Sequence, residues 1–94
     1  MGKPMGITIT IHPAYFRYTE NRNIVETSGE TIGECLYDLA RQFPAIKTKL
    51  FDKKGGLLNF IEIYHNTESA YPNELTKPTR DGDEIDIVVM LSGG

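Results

Sequence analysis

Hydrophobic and polar residues alternate with a period of two in several parts of the chain. Three isoleucines alternate with threonine and histidine over residues 7–11, and the alternation returns at 59–65 and 85–90. Such alternation of β-branched residues is typical of strands with one buried face. A shorter apolar run at 24–27 predicts a further strand, joined to the first as a hairpin through residues 13–20, which we expect to be partly extended.

The middle of the chain carries a helical pattern. Thr31 precedes Glu34 by three residues, which is the spacing of a capping box at a helix start. Pro44 disfavours helical backbone at Phe43 and so ends the helix there. A short further turn is predicted around residues 46–51. The apolar positions of the main helix fall on one face: Ile32, Cys35, Leu36, Leu39 and Phe43.

The order of strands, one strong helix and further strands predicts an α+β fold. We expect a mixed sheet of four or five strands with one main helix on one face, an order that fits a β-grasp. A ferredoxin-like fold would need a second long helix, and residues 47–51 are too few to form it. Residues 1–94 are predicted to form a single domain, with 1–6 disordered and 91–94 a flexible tail.

The net charge and the hydropathy of the chain argue against several classes of function. The 94 residues include ten basic and 13 acidic side chains, a net charge of −3, which is the wrong sign for a protein that binds nucleic acid through phosphates. No apolar run approaches the roughly 18 residues of a spanning helix, and residues 1–6 lack the apolar core of a signal peptide. We therefore expect a cytoplasmic, soluble protein without nucleic-acid or membrane partners.

Reactive side chains are few and scattered. Cys35 is the one cysteine and falls on the apolar stripe of the helix, so we expect a buried, unreactive thiol. His12 and His65 end strands without a supporting acidic motif, and a surface position is the stronger interpretation than a metal ligand. The lysines of residues 47–54 are interpreted as a solvated face. The sequence thus predicts no metal site, no bound cofactor and no conventional active site.

The chain ends in Leu91, Ser92, Gly93 and Gly94. Glycine lacks a Cβ, so a diglycine tail is thin and flexible enough to bring a terminal carboxylate into the active site of another protein. A frayed end or a cloning scar is the alternative interpretation.

The last strand strengthens the functional interpretation of this tail. If its odd-numbered positions face the core, Val88 and Met90 point outward, and an outward apolar pair indicates a docking patch. Just upstream, acidic residues would give the patch a rim suited to a basic partner: Asp81, Asp83, Glu84 and Asp86. The alternative is a strand buried on both faces.

These features together resemble the β-grasp sulfur carriers of the molybdopterin-synthase small subunit and thiamine type (MoaD/ThiS), which are relatives of ubiquitin. The resemblance covers nearly the whole chain and is carried by Thr31–Glu34, Phe43–Asp52, Phe60–Tyr64, Arg80–Ile85 and the final diglycine. The long segment from Phe43 to Tyr64 is most similar to the molybdopterin-type and cysteine-biosynthetic carriers.

The resemblance implies a protein cosubstrate that is not itself an enzyme, or the small subunit of a molybdopterin-synthase-like enzyme. A ubiquitin-activating-type adenylyltransferase (MoeB/ThiF-like) would use ATP to adenylate the Gly94 carboxylate. A sulfur donor would convert the adenylate to a thiocarboxylate, and a synthase would accept the sulfur. Two alternatives stay open: a ubiquitin-like modifier that forms isopeptide bonds through Gly94, and a plain interaction domain with an accidental tail.

Overall fold

The computed structural model describes residues 6–90 and shows a five-stranded sheet with one main helix on one face. This arrangement confirms the predicted mixed sheet. In chain order the elements are β1 (Ile7–Thr10), a 3-10 helix (Pro13–Tyr18), β2 (Ile24–Thr27), α1 (Ile32–Gln42), a 3-10 turn (Pro44–Ile46), α2 (Lys47–Leu50), β3 (Ile61–His65), β4 (Glu68–Ser69) and β5 (Glu84–Val89).

The sheet has the strand order β2-β1-β5-β3-β4. β5 lies between β1, with which it is parallel, and β3, with which it is antiparallel. β1 and β2 form the predicted antiparallel pair, with Ile9 opposite Val25. No helix among residues 6–90 is long and apolar enough to span a bilayer.

The core lies between α1 and the inner face of the sheet. Leu36 and Leu39 on α1 are completely buried, as the predicted stripe requires. The sheet contributes its odd-numbered positions, which share one face because strand side chains alternate. These inward side chains are Ile7, Ile9, Val25, Ile61, Ile63, Ile85, Ile87 and Val89.

The start of α1 is held by its capping box and by a distant loop. The Thr31 hydroxyl accepts from the Glu34 N–H at 3.1 Å, while the Glu34 carboxylate accepts from the N–H of Glu30 at 2.8 Å. The Gly33 N–H donates to the Leu75 carbonyl at 3.0 Å. A Cβ on Gly33 would lie 2.6 Å from that carbonyl oxygen, so the close approach of the loop requires glycine here.

Three local expectations need correction. The connection over residues 13–20 is a 3-10 helix and not extended, because Pro13 suits the first helical turn and the His12 ring accepts from the Ala14 N–H at 3.0 Å. The predicted disorder of residues 1–6 does not extend to Gly6, whose carbonyl accepts from the Gly82 N–H at 2.8 Å. The last strand ends one residue early, at Val89. The expectation for residues 1–5 lies outside the described part of the chain.

A polar cluster fixes the entry into β5. Asp83 accepts from the Arg80 N–H at 2.9 Å and from the Asn66 side chain at 3.1 Å, and its carboxylate lies 2.8 Å from His65 Nε2. Partial burial raises the pKa of Asp83, but its hydrogen bonds and its electrostatic attraction to His65 outweigh burial and place the pKa below its ordinary value of 3.8. The cluster ties the turn after β3 to the turn before β5.

Replacing Leu36 with alanine should lower the free energy of unfolding by about 2 to 5 kcal/mol, because it leaves a cavity at the centre of the helix stripe. A denaturant melt measures the change. Thr48→Ala, exposed on α2, is the control and should change stability by less than about 0.5 kcal/mol. Equal effects of the two substitutions would contradict the packing described for α1.

Replacing Asp83 with asparagine should lower the free energy of unfolding at pH 7 by about 1 to 3 kcal/mol, since a charged acceptor of several hydrogen bonds is lost. A carboxyl with a lowered pKa stabilises the fold above its unfolded pKa, so the wild type should lose this contribution as pH falls below about 4. The difference between wild type and variant should therefore shrink in acid. Urea melts at several pH values measure it.

Asp81→Asn is the matched control, because Asp81 lies exposed in the same turn. It should leave the pH profile of stability unchanged. A gap between wild type and Asp83→Asn that persists to pH 2 would show that the carboxylate charge is not the source of the effect.

Candidate functional site

The face of the sheet opposite α1 has no layer of described residues over it, and we call it the open face. It is built by the even-numbered strand positions, whose side chains alternate with the buried ones. The strand register places Glu62 beside Val88, and Asp86 between Tyr64 and Thr10. The open face therefore crosses all the long strands of the sheet.

The open face is apolar at one end, where β5 reaches its carboxyl terminus. The Met90 N–H donates to the Phe60 carbonyl at 2.8 Å, which continues the β3–β5 register by one pair. Met90 is 50% exposed and Phe60 is 40% exposed. Val88, which pairs with Glu62, is half-buried. We call Phe60, Val88 and Met90 the apolar end of the open face.

The outward orientation of Val88 and Met90 agrees with the sequence prediction. Burial of β5 on both faces, the alternative, is wrong because half of Met90 is accessible. The alternation of Ile61 and Ile63 could have identified Phe60 and Glu62 as outward neighbours, but the sequence alone did not give the register that places them beside β5.

The acidic rim differs from its prediction at one position. Glu84 and Asp86 lie on the open face, and Glu62 and Glu26 join them from the neighbouring strands. Asp83 has the parity of the buried positions of β5 and binds His65, so it does not belong to the rim. Asp81 is exposed in the preceding turn.

The residues of the open face are better suited to binding a partner protein than to catalysis. Four carboxylates border it, while its apolar end offers contact area without reactive groups. Residues 6–90 contain no cluster of three or more histidine, cysteine or acidic side chains arranged to hold a metal. The predicted tail, Leu91 to Gly94, lies outside the described residues, and its roles stay predictions.

Cys35 lies on the other side of the sheet, on the inward face of α1, and is fully buried. Burial raises the pKa of its thiol, and hydrogen bonding with Thr79 and Thr27 opposes this shift without outweighing it. The Cys35 Sγ lies 3.8 Å from Thr79 Oγ1. A neutral, inaccessible thiol is a poor nucleophile. The structure thus places this sulfur atom away from the open face.

Comparison with known proteins links this architecture to a family. Residues 12–94 match the model of the ThiS family. The chain is 30% identical over 93 residues to the sulfur carrier protein CysO of Mycobacterium tuberculosis, covering 96% of this chain and 100% of that protein. It is 32% identical over 71 residues to small archaeal modifier protein 1 of Haloferax volcanii, covering 74% of this chain and 78% of the modifier.

A solved structure gives the same result. A chain in the crystal structure of the Amycolatopsis orientalis BexX/CysO complex superposes with a TM-score of 0.85 at 28% identity, covering 95% of this chain and all of the other. The predicted β-grasp fold is confirmed. The chain belongs to the ThiS family of ubiquitin-like sulfur carriers.

Proposed function

We propose that this protein is a sulfur carrier whose Gly94 carboxylate is adenylated by a partner enzyme with ATP and then converted to a thiocarboxylate. The observation that carries the proposal is the match to the ThiS family, which runs to Gly94. The proposal makes the chain a cosubstrate that acts in the cytoplasm and binds no cofactor itself.

The sheet supports this role by fixing the point from which the last residues extend. β5 is paired on both sides, and the Met90 N–H is bonded to Phe60. Gly94 lies four residues beyond Met90, and four residues reach at most about 14 Å. A partner that receives Gly94 must therefore bind close to the apolar end of the open face.

The chemistry requires a partner for each step. Adenylation turns a resonance-stabilised carboxylate into an acyl group with AMP as a good leaving group. A sulfur nucleophile then displaces AMP and leaves the thiocarboxylate. The partner supplies catalysis by holding the tail in line with the reacting atoms, which is worth several orders of magnitude in rate.

The open face fits an activating enzyme of the ubiquitin-activating type (MoeB/ThiF-like). Its apolar end would bury Phe60, Val88 and Met90, while Glu62 and Asp86 would meet basic side chains of the enzyme. The sulfur acceptor is proposed to be a synthase of the cysteine or molybdopterin type, and similarity to CysO favours the cysteine type.

A second candidate is a ubiquitin-like modifier joined to lysines through Gly94. The similarity to small archaeal modifier protein 1 favours it. Both candidates share adenylation of Gly94, so they differ in the nucleophile that takes the acyl group, sulfur or an amine.

Replacing Met90 with aspartate should weaken binding to the activating enzyme at least tenfold, because a charge replaces a central apolar contact. The melting temperature should stay nearly unchanged, since Met90 contributes little to the core. Binding is measured by titration calorimetry.

Ile24→Asp is the matched control: Ile24 is equally exposed, at 52%, but lies on β2 at the far edge of the sheet. Equal loss of binding in both variants would contradict the assignment of the apolar end.

Deleting Gly94, or adding one residue after it, should abolish activation without unfolding the protein. Either change displaces the terminal carboxylate by about 3.5 Å relative to ATP. Intact mass after incubation with the activating enzyme, ATP and a sulfur donor is the measurement, and the wild type should gain the mass difference between sulfur and oxygen.

Ser92→Ala is the matched control because it keeps the length of the tail, and it should be converted like the wild type. Gly93→Val should slow conversion by adding width to the tail. The proposal would be overturned if the truncated and wild-type chains were converted equally. It would also be overturned if the added sulfur atom were found on Cys35 in place of Gly94.

A further inference from the structure

Basic side chains are unevenly distributed over the described chain. Two segments, residues 13–22 and 41–54, carry seven basic and two acidic side chains, a net charge of +5. The rest of residues 6–90 carries two basic and eleven acidic side chains, a net charge of −9 with the histidines neutral. The described chain therefore consists of two regions of opposite charge.

The fold brings the two basic segments together. The 3-10 helix that contains Tyr15 packs against the 3-10 turn before α2, and the Tyr15 hydroxyl donates to the Lys49 carbonyl at 2.7 Å. Three arginines thus join the lysines that the sequence alone placed on a solvated face. We call the resulting surface the basic pole, and its cationic residues are Arg17, Arg22, Arg41, Lys47, Lys49, Lys53 and Lys54.

The charges of the basic pole are largely unneutralised within the described chain. Among residues 6–90, Arg41 is its one member that forms an ion pair, with Asp38. The Asp52 carboxylate lies within the pole, but it accepts from the N–H groups of Lys54 and Gly56 at 2.8 and 3.0 Å. A surface with unpaired positive charge attracts an acidic partner.

Aromatic rings hold two of these cations in place. Lys49 Nζ lies 5.2 Å from the centre of the Tyr18 ring, and the Arg22 guanidinium lies 6.0 Å from the centre of the Phe43 ring. A ring attracts a cation through its π electrons without removing the charge. The two side chains are therefore partly ordered before a partner arrives, which lowers the entropy cost of binding.

Two adjacent hollows give the basic pole a shape that can hold a chain segment. One, of about 500 Å³, is lined by Lys47, Thr48, Phe51, Asp52 and Lys53. The other, of about 270 Å³, is lined by Tyr37, Ala40, Arg41 and Lys47. Lys47 borders both hollows. Tyr37 is 45% exposed and stacks on Phe51 with the ring centres 4.6 Å apart, so it offers a fixed apolar contact there.

The basic pole lies at the end of the sheet where β5 ends. β1 and β5 are parallel, so the 3-10 helix that follows β1 lies at that end. The Leu50 carbonyl of α2 accepts from the Leu58 N–H at 2.8 Å, and the Phe60 carbonyl accepts from the Met90 N–H. Because α2 packs on α1, the pole is on the α1 side of the sheet and the open face is on the other side.

We propose that the basic pole binds an extended acidic segment of a partner protein. This surface lies outside the site proposed for the carrier function, and its binding is testable without Gly94 or the activating enzyme. Carboxylates of the segment pair with Lys47 at the centre, with Arg41 at one hollow and with Lys53 at the other. An apolar side chain of the segment contacts the Tyr37 ring.

The spread of the charges favours an acidic protein segment over other anions. A single phosphate could contact only a few of the seven cations and would leave the rest unpaired. A long nucleic acid at this end of the sheet would also approach the carboxylates of the open face, which repel its phosphates. A short acidic segment pairs with the pole and avoids this repulsion.

A blocked hexapeptide of five glutamates and one central leucine is the probe. Titrated at low salt into isotope-labelled full-length protein, it should shift the amide NMR signals of residues 41–54 at millimolar concentration. A matched peptide with glutamine in place of glutamate should bind at least about tenfold more weakly. Absence of these shifts, or shifts of the same size around Lys77 and Arg80, would overturn the proposal.

A charge variant tests the centre of the pole. Lys47→Glu should weaken binding of the glutamate peptide at least about fivefold, and Lys47→Arg should retain the affinity of the wild type. Lys47 is exposed in the first turn of α2, where glutamate is tolerated. Lys53→Glu, in the exposed turn after α2, tests the other end of the site and should weaken binding similarly.

Arg80→Glu is the matched control, because Arg80 is exposed outside the pole and the substitution changes the net charge equally. It should change the affinity by less than about twofold, since salt screens distant charges. Equal weakening by Lys47→Glu and Arg80→Glu would show a nonspecific charge effect and would overturn the proposal.

Further titrations test the other occupants. Inorganic phosphate should need a concentration at least about tenfold higher than the glutamate peptide, because one phosphate cannot contact several cations at once. Equal potency of phosphate would assign the pole to small anions. Tighter binding of a six-nucleotide oligouridylate than of the peptide would assign it to RNA. Signals of residues 41–54 that shift with protein concentration alone would assign it to a second copy, and each of these three results would overturn the proposal.

Discussion

The position of β5 between β1 and β3 is the constraint on which the rest of this structure depends. Its backbone is bonded on both sides, so its direction and register are fixed by two neighbours. Its inward side chains complete the core, while its outward side chains form the open face. One strand thereby couples the stability of the fold to the surface and to the point where the last residues leave the sheet.

The same constraint explains why the two faces of the sheet differ so strongly. α1 needs an apolar partner along its whole stripe, and the odd-numbered strand positions supply it. The even-numbered positions are then free to carry carboxylates and a small apolar end. An acidic face with an apolar end is suited to a partner that arrives by electrostatic attraction and then buries a few side chains. The hydrogen bonds of Asp83 to His65 and to the Arg80 N–H also fix the position at which the chain enters β5.

Much of this architecture follows from the sequence because it depends on short-range periodicity. The capping box at Thr31, the stripe through Leu36 and the outward pair of Val88 and Met90 are all determined within a few residues of the chain. What the sequence could not give depends on contacts between distant segments. The strand register is needed to know that Phe60 pairs with Met90. It is also needed to know that Asp83 binds His65 and so does not belong to the rim, and that a distant loop bonds to the Gly33 N–H. The helical turn at Pro13–Tyr18 was missed because its aromatic residues suit strands equally well.

The central claim is that Gly94 carries sulfur, and the chain recovered from its native cells tests it most directly. The last basic residue is Arg80, so trypsin releases one terminal peptide of residues 81–94 that contains the reactive end. Fragment mass spectrometry of that peptide should show the sulfur-for-oxygen mass difference on Gly94 in a fraction of the molecules. Terminal peptides without a thiocarboxylate sulfur on Gly94, together with Gly94 joined to lysines of other proteins, would contradict the carrier function and support the modifier.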